Sequence, residues 1–316
     1  MTDAALAPAV VVAGPTASGK SALAMALAVE FDGVIINADS MQIYRELRIL
    51  TARPGLDDEA RIPHRLYGVM PVQSACSAAH WRGLALSELD AVRSAGKLAI
   101  FCGGTGLYLR ALMRGLSPVP EIDGEIRKAV RARLEHDGAA AMHDALAQVD
   151  PAMAARLAPR DRQRIARAWE VFEATGKPLS EWQALPESGP PPDVRIASIV
   201  LRPPRAALYA ACDARMRRMV GAGALAEIEA LAGIDPGLPA MKALGVADFR
   251  RHLDGEITLE EAIFLAQQAT RRYAKRQMTW FKNQIIADFG ILTQYSEKVV
   301  PEIFSFIRQN LLTINK

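Results

Sequence analysis

Gly14-Pro15-Thr16-Ala17-Ser18-Gly19-Lys20-Ser21 is a complete G-x-x-x-x-G-K-[ST] run, and the chemistry of such a run is that of a diphosphate cradle. Its glycines let backbone N–H groups converge on one anion, and the positive end of a following helix adds to their field. Lys20 would meet the terminal phosphates and Ser21 would ligate Mg²⁺. A second group follows the apolar run Val34 to Ala38, where Asp39-Ser40-Met41-Gln42-Ile43-Tyr44 places an acid at the carboxyl end of a strand, the edge on which α/β proteins bind ligands. Asp39 there could hold Mg²⁺ through water or accept a proton from a substrate; a helix N-cap is the plainer alternative. The third group is Phe101-Cys102-Gly103-Gly104-Thr105-Gly106-Leu107-Tyr108. Its glycines permit close approach of a ligand and Thr105 offers a hydroxyl that both donates and accepts, although a tight turn alone would also need glycine. A motor ATPase carries an acid at the end of such a strand, and this one has none.

Groups on separate loops act together only if strands bring the loops to one edge. Strand-like runs at Val10–Ala13, Val34–Ala38 and Leu98–Cys102 alternate with helix-like runs at Ala22–Glu30 and Ala78–Ala95, the rhythm of a parallel sheet. From about Ile122 to Thr175 the spacing is wholly helical, and residues 121–185 read as a helical insertion. The Pro-rich stretch Pro186–Asp193 is a linker, after which Ile196–Leu201 returns to the sheet. Amphipathic helices are expected over Arg205–Leu231 and Leu259–Asp288. The α/β core is thus expected in two parts, 1–120 and 193–287, with 288–316 as a peripheral tail of unknown role.

Composition narrows the function class. The chain has 38 basic and 35 acidic residues and a net charge of +3, so a polyanion-binding surface must be local. Two basic runs qualify. Arg156, Arg160, Arg162, Arg164 and Arg167 surround the single acid Asp161, and Arg271, Arg272, Lys275, Arg276 and Lys282 interleave with Tyr273, Trp280 and Phe281. A solvated helix face would produce the same runs. Cys76, Cys102 and Cys212 form no C-x-x-C pair and the five histidines show no ligand spacing, which argues against a disulfide framework or a zinc site. The first residues lack the basic start of a leader peptide and no apolar run reaches about 18 residues, so a cytoplasmic protein without a membrane span is expected.

Taken together these motifs resemble the tRNA dimethylallyltransferase (tRNA isopentenyltransferase) family. The similarity is carried by Gly14–Ser21, Asp39-Ser40 with Tyr44, Thr51-Ala52 with Pro54, Gly103-Gly104-Thr105 with Leu107-Tyr108, and Gln163-Arg164-Ile165 with Arg167. It continues through Arg215, Met219, Gly223 and Glu227, Lys242-Ala243-Leu244-Gly245, and Tyr273–Gln277 with Thr279-Trp280-Phe281. The chain departs from the family's usual Gly-Thr-Ala-Lys-Pro at Leu50 and Arg53, and the zinc-finger extension of longer members is not expected. The resemblance implies a P-loop NTPase-like parallel sheet flanked by helices, with an all-helical insertion domain that closes over the anticodon stem-loop. It implies transfer of a dimethylallyl group from dimethylallyl diphosphate to N6 of the adenosine 3′ to the anticodon, with Mg²⁺ as cofactor and a monomer as the working state.

The same resemblance distributes roles. Asp39 is the general base, Thr105 orients the acceptor, and Lys20 with Arg215 attends the leaving diphosphate. Contacts to tRNA fall on Asp39, Ser40, Met41, Gln42, Thr105, Arg127, Gln163, Arg164, Ile165, Ala166, Arg167, Lys275 and Arg276. Transfer requires charge to be stabilised on departing pyrophosphate and a proton to leave a weakly nucleophilic amine, and an adenine must be extruded from its stack to react. Two other readings share parts of this set. A small-molecule or nucleoside kinase has the phosphate loop and sheet, and a non-catalytic RNA-binding regulator has the basic helices but leaves Asp39 and Thr105 idle.

Overall fold

The computed structural model describes residues 6–312. The remaining ends of the expected core and tail segments, 1–5 and 313–316, lie outside the described residues. Each β-branched run that the sequence places next to a Gly-rich turn becomes a strand: β1 (Ala7–Ala13), followed by α1 (Lys20–Glu30), then β2 (Gly33–Asn37). After α2 (Leu56–Arg61), the two-residue β3 (His64–Arg65) and α3 (Ala78–Ser94) comes β4 (Leu98–Gly103), which leads into α4 (Gly106–Arg114). Three further helices, α5 (Gly124–Val149), α6 (Pro151–Ala154) and α7 (Arg162–Thr175), precede the short α8 (Leu179–Ala184) and β5 (Val194–Leu201). The chain continues through α9 (Arg205–Gly221), α10 (Ala224–Glu229), α11 (Val246–Leu253) and α12 (Leu259–Gln284) to β6 (Phe289–Ile291) and α13 (Val300–Ile307).

All six strands are parallel, in the order β3-β2-β4-β1-β5-β6. Both faces are covered, which is why β1, β4 and β2 up to its last residue, Asn37, are apolar instead of alternating. Ala9, Val11, Val34, Ile36 and Phe101 pack on one face with Trp81, Leu109 and Phe281. Val10, Val12, Ile35, Ile100 and Ile199 pack on the other with Leu23 and Leu27 of α1. The register pairs Ala13 with Gly103 and Asn37 with Cys102. The carboxyl ends of β1, β2 and β4 therefore lie side by side, and the three loops of interest leave the sheet at one edge.

Two expectations change. The helix expected over Arg205–Leu231 is broken at Gly223, whose φ of 102° is left-handed, so periodicity alone reads two helices as one. The segment expected to be a peripheral tail supplies the sixth strand, paired with β5 through Ile199–Leu201. It then supplies α13, whose wholly buried Ile303 and Ile307 complete the α1 face of the core. Burial of one such side chain contributes on the order of 2 kcal/mol, so this segment is part of the core's stability.

Residues Arg114–Pro190 form a separate compact unit, and 1–113 with 191–316 form the other. The helical unit has its own core of Met142, Leu146, Ile165, Trp169 and Val171. Within it α5 is interrupted at Gly138 (φ 78°). Buried Asp150 caps α6 through the Met153 amide at 3.0 Å and accepts from Ser180 N–H at 3.0 Å.

Candidate functional site

The phosphate loop links β1 to α1, whose first turn leaves its amides without intrahelical acceptors. Ala17 adopts a left-handed φ of 61°, a conformation that costs a non-glycine residue about 1–2 kcal/mol. Neighbouring chain holds it there: Gln294 Nε2 donates to Ala17 O at 2.7 Å, and the Tyr295 amide meets Ser18 O at 3.5 Å. Gly19 also has φ 91°, and a Cβ on it would fall 2.4 Å from Tyr295 Cβ. The Ser18 hydroxyl is buried without a partner. The Lys20 ammonium lies against Pro15 O at 3.4 Å. Burial pulls its pKa below the usual lysine value while the Asp39 carboxylate opposes that pull. A cation held in this way gains from an arriving diphosphate, which replaces the water it has lost.

Asp39 stands just beyond β2, and Asn37 sets its turn. Fully buried, Asn37 accepts the Asp39 amide on Oδ1 at 2.8 Å, while Nδ2 donates to Asp39 O and Leu66 O, both at 3.0 Å. The Asp39 carboxylate accepts the Met41 amide at 3.0 Å, an Asx turn rather than the helix cap that was the alternative reading. Trp81 Nε1 fastens the same strand end at Asn37 O, 2.9 Å away, and its ring stacks on Tyr108 at 4.5 Å.

Across the gap β4 ends on Gly103, and Thr105 N–H donates to Ala38 O at 3.2 Å. The Thr105 hydroxyl accepts the Ser40 amide at 2.8 Å and donates to the Ser40 hydroxyl at 3.2 Å, so Thr105 and the Asp39 loop form one hydrogen-bonded rim. On α12, burial and then the nearby Asp39 charge raise the Tyr273 pKa above the ordinary tyrosine value. Arg215, from α9, also feels Asp39 and makes no ion pair among the described residues. Burial pulls its guanidinium below the usual arginine value, with Asp39 opposing. The sheet edge thus gathers Lys20, Asp39, Thr105 and Arg215.

Sequence reasoning left roles unassigned here. Gln277 accepts the Thr16 amide at 2.8 Å and donates to Gly104 O at 2.9 Å. The Glu227 carboxylate accepts the amides of Arg48, Ile49 and Leu50 at 2.7, 2.6 and 2.9 Å. Both belong to motifs that carry the family resemblance, yet neither partner is near in sequence. The departures from the family pattern have local explanations. Leu50 is a core residue, and Arg53 lies flat against Gly68 while donating to Arg45 O at 3.2 Å. Gln42, expected at the tRNA, spends its amide donors on Thr51 O and Ala52 O at 2.9 and 2.8 Å.

On the helical unit, Gln163, Arg164 and Arg167 expose polar ends along α7, with Arg164 and Arg167 in loose pairs with Asp161 (3.5 Å) and Glu170 (3.4 Å). Ile165 and Ala166, expected among the tRNA contacts, are buried in that unit's core, so their side chains offer no surface to a ligand. Arg127 is half-buried on α5, and Lys275 and Arg276 are exposed on α12. Among the described residues no group of three or more His, Cys, Asp or Glu could hold a metal ion, and no helix is long and apolar enough to cross a membrane.

Comparison with known proteins places this arrangement. Residues 42–284 match the family model described as IPP transferase. The chain is 54% identical over 282 residues to the tRNA dimethylallyltransferase of Rhodospirillum centenum, covering 89% of this chain and 90% of that one. It is 56% identical over 287 residues to the tRNA dimethylallyltransferase of Nitrobacter hamburgensis, covering 90% of each. The crystal structure of the full-length tRNA isopentenylpyrophosphate transferase from Bacillus halodurans superposes with a TM-score of 0.69 at 31% identity over 96% of each chain. A eukaryotic dimethylallyltransferase captured acting on tRNA gives 0.79 at 25% identity, over 98% of this chain and 81% of that one. A family model that runs from the turn after β2 to the end of α12, with relatives more than half identical along most of their length, leaves one assignment: the chain belongs to the IPP transferase family.

Proposed function

We propose that this protein transfers a dimethylallyl group from dimethylallyl diphosphate to N6 of the adenosine 3′ to the anticodon of tRNA, releasing pyrophosphate. The observation that carries the reading is the pairing at the sheet edge. A phosphate loop with Lys20 and Arg215 faces a carboxylate, Asp39, and the strand between them ends in Gly103-Gly104-Thr105 without an acid. In the reaction the C1–O bond breaks and its electron pair leaves on pyrophosphate. The N6 lone pair forms the new bond to C1, and the N6 proton passes to the Asp39 carboxylate. Lys20, Arg215 and the loop amides offset the charge that builds on the leaving group, and Thr105 presents its hydroxyl to the acceptor nucleotide. The kinase reading is not favoured, because the relatives are named as dimethylallyltransferases.

The residues present fit Mg²⁺ in a restricted way. Ser21 is the second residue of α1 and is exposed, and Mg²⁺ takes most of its ligands from phosphate and water. Ser21 would therefore hold the ion by one hydroxyl, and the ion would neutralise diphosphate charge when bound.

Incubation with labelled dimethylallyl diphosphate and unmodified tRNA is expected to yield a labelled nucleoside with no ATP consumed. ATP turnover without a labelled nucleoside would overturn the reading in favour of a kinase. The basic side chains of α7 supply charge for tRNA phosphates; the Arg164–Asp161 pair is of the solvent-exposed kind that stabilises little, whereas Arg167 pairs with the buried Glu170. Removing Arg164 and Arg167 together is expected to weaken tRNA binding and to lower the slope of log K against log salt by about one per lost phosphate contact. An unchanged slope would assign both arginines to Asp161 and Glu170.

A further inference from the structure

We propose that Gln277 is a positioning residue that sets the separation between the diphosphate cradle and the acceptor rim, an inference that rests on reading the two loops in those roles. Its side chain is 5% exposed and lies between them. Oε1 accepts the Thr16 N–H of the phosphate loop at 2.8 Å, 261 residues away, and Nε2 donates to Gly104 O at 2.9 Å. Gly104 is pressed against it so closely that a Cβ there would lie 2.4 Å from Nε2 and 3.5 Å from Asp39 Oδ2. The primary amide accepts with one atom and donates with the other; an ionised carboxylate accepts only and an alkyl group does neither.

The brace is anchored on a rigid element. α12 starts with a reciprocal cap between Thr258 and Glu261 and buries Thr270, Ala274 and Phe281 on either side of Gln277. Through Gln277 the helix holds the first loop and the backbone of the second. Gly104 leads directly into Thr105, whose hydroxyl is bonded in turn to Ser40 beside Asp39. The electrophilic carbon travels with the diphosphate and the nucleophile is oriented by the Thr105 rim. Their approach is therefore set by the distance that the amide spans. Displacement needs the reacting atoms within about 3–3.5 Å, and a misplacement near 1 Å costs about 10²-fold in rate.

The test uses the full chain, with kcat and both KM values measured together with pyrophosphate affinity by calorimetry. Gln277→Leu removes both bonds. Gln277→Glu keeps an acceptor for Thr16 but sets a carboxylate oxygen on the Gly104 carbonyl, and its near-identical shape keeps the test available should the leucine variant fail to fold. Both variants are expected to lose about 10²-fold in kcat, while the KM for tRNA and the affinity for pyrophosphate stay within about threefold. Unchanged kcat, or a fall in kcat matched by an equal fall in pyrophosphate affinity, overturns the brace. Wild-type protein measured alongside separates the two levels: a wild type that prenylates no tRNA overturns the functional reading, whereas an active wild type with equally active variants overturns only the role of Gln277.

Discussion

Replacing Asp39 with alanine is expected to lower the rate of dimethylallyl transfer by about 10²- to 10⁴-fold, the usual contribution of a positioned general base, while tRNA binds as before. Near the phosphate loop, Asp39 is the carboxylate whose charge Lys20, Arg215 and Tyr273 all sense. Its only described hydrogen bond, from the Met41 amide at 3.0 Å, occupies one oxygen. The turn that presents it is held by Asn37 and Thr105 through backbone groups, so shortening the side chain removes a proton acceptor without dismantling the loop. Single-turnover transfer assays and tRNA binding titrations on the same preparation check this. A loss of tRNA affinity as large as the loss of rate would make Asp39 a nucleotide-holding residue instead.

Gly103→Ala should damage both the fold and the site. A Cβ at Gly103 would lie 2.1 Å from the Ala38 carbonyl carbon and oxygen and 2.7 Å from its Cα. These are backbone atoms, and Ala38 is pinned by its N–H to Cys102 O at 2.9 Å and by Thr105 N–H to its own carbonyl at 3.2 Å. No rotamer change relieves the clash, so β2 and β4 must separate where Asp39 leaves the sheet. Overpacking in a tight interior costs about 1–3 kcal/mol, and the rigid neighbour puts this case at the upper end. Chemical denaturation should show a lower midpoint with an unchanged slope, and the folded fraction should transfer poorly. Gly83 is the control: it lies inside α3 with nothing within 4 Å of a would-be Cβ, so alanine there should be neutral or mildly stabilising. A Gly103→Ala protein with the wild-type midpoint would show that the strand ends are free to part.

The parts of this molecule legible in the sequence are those whose cause is local. Gly14–Ser21 can be read because each residue type serves the turn or the anion directly, and β1, β2, β4 and β5 can be read because burial on both faces leaves an apolar run. β3 and β6, with two and three residues, are too short for any periodicity. The break at Gly223 was hidden because apolar residues keep helical spacing on both sides of it. Asn37, Glu227 and Gln277 are opaque for a different reason: each acts through partners in a turn, in a loop 177–179 residues away, or in the loops after β4 and β1, 173 and 261 residues away. Family resemblance marks the positions of Glu227 and Gln277 but does not say what they touch.

The contacts of Gln294 and Tyr295 with Ala17 and Ser18, 277 residues apart along the chain, bear on how the protein is made. Residues 14–21 are made 277 residues before the groups that hold Ala17 in its left-handed turn. A nascent chain thus carries its anion-binding sequence without these contacts until that later segment has been made. Closing so distant a contact is slow, so the hold on the Ala17 turn is expected to form after the local structure of β1 and α1.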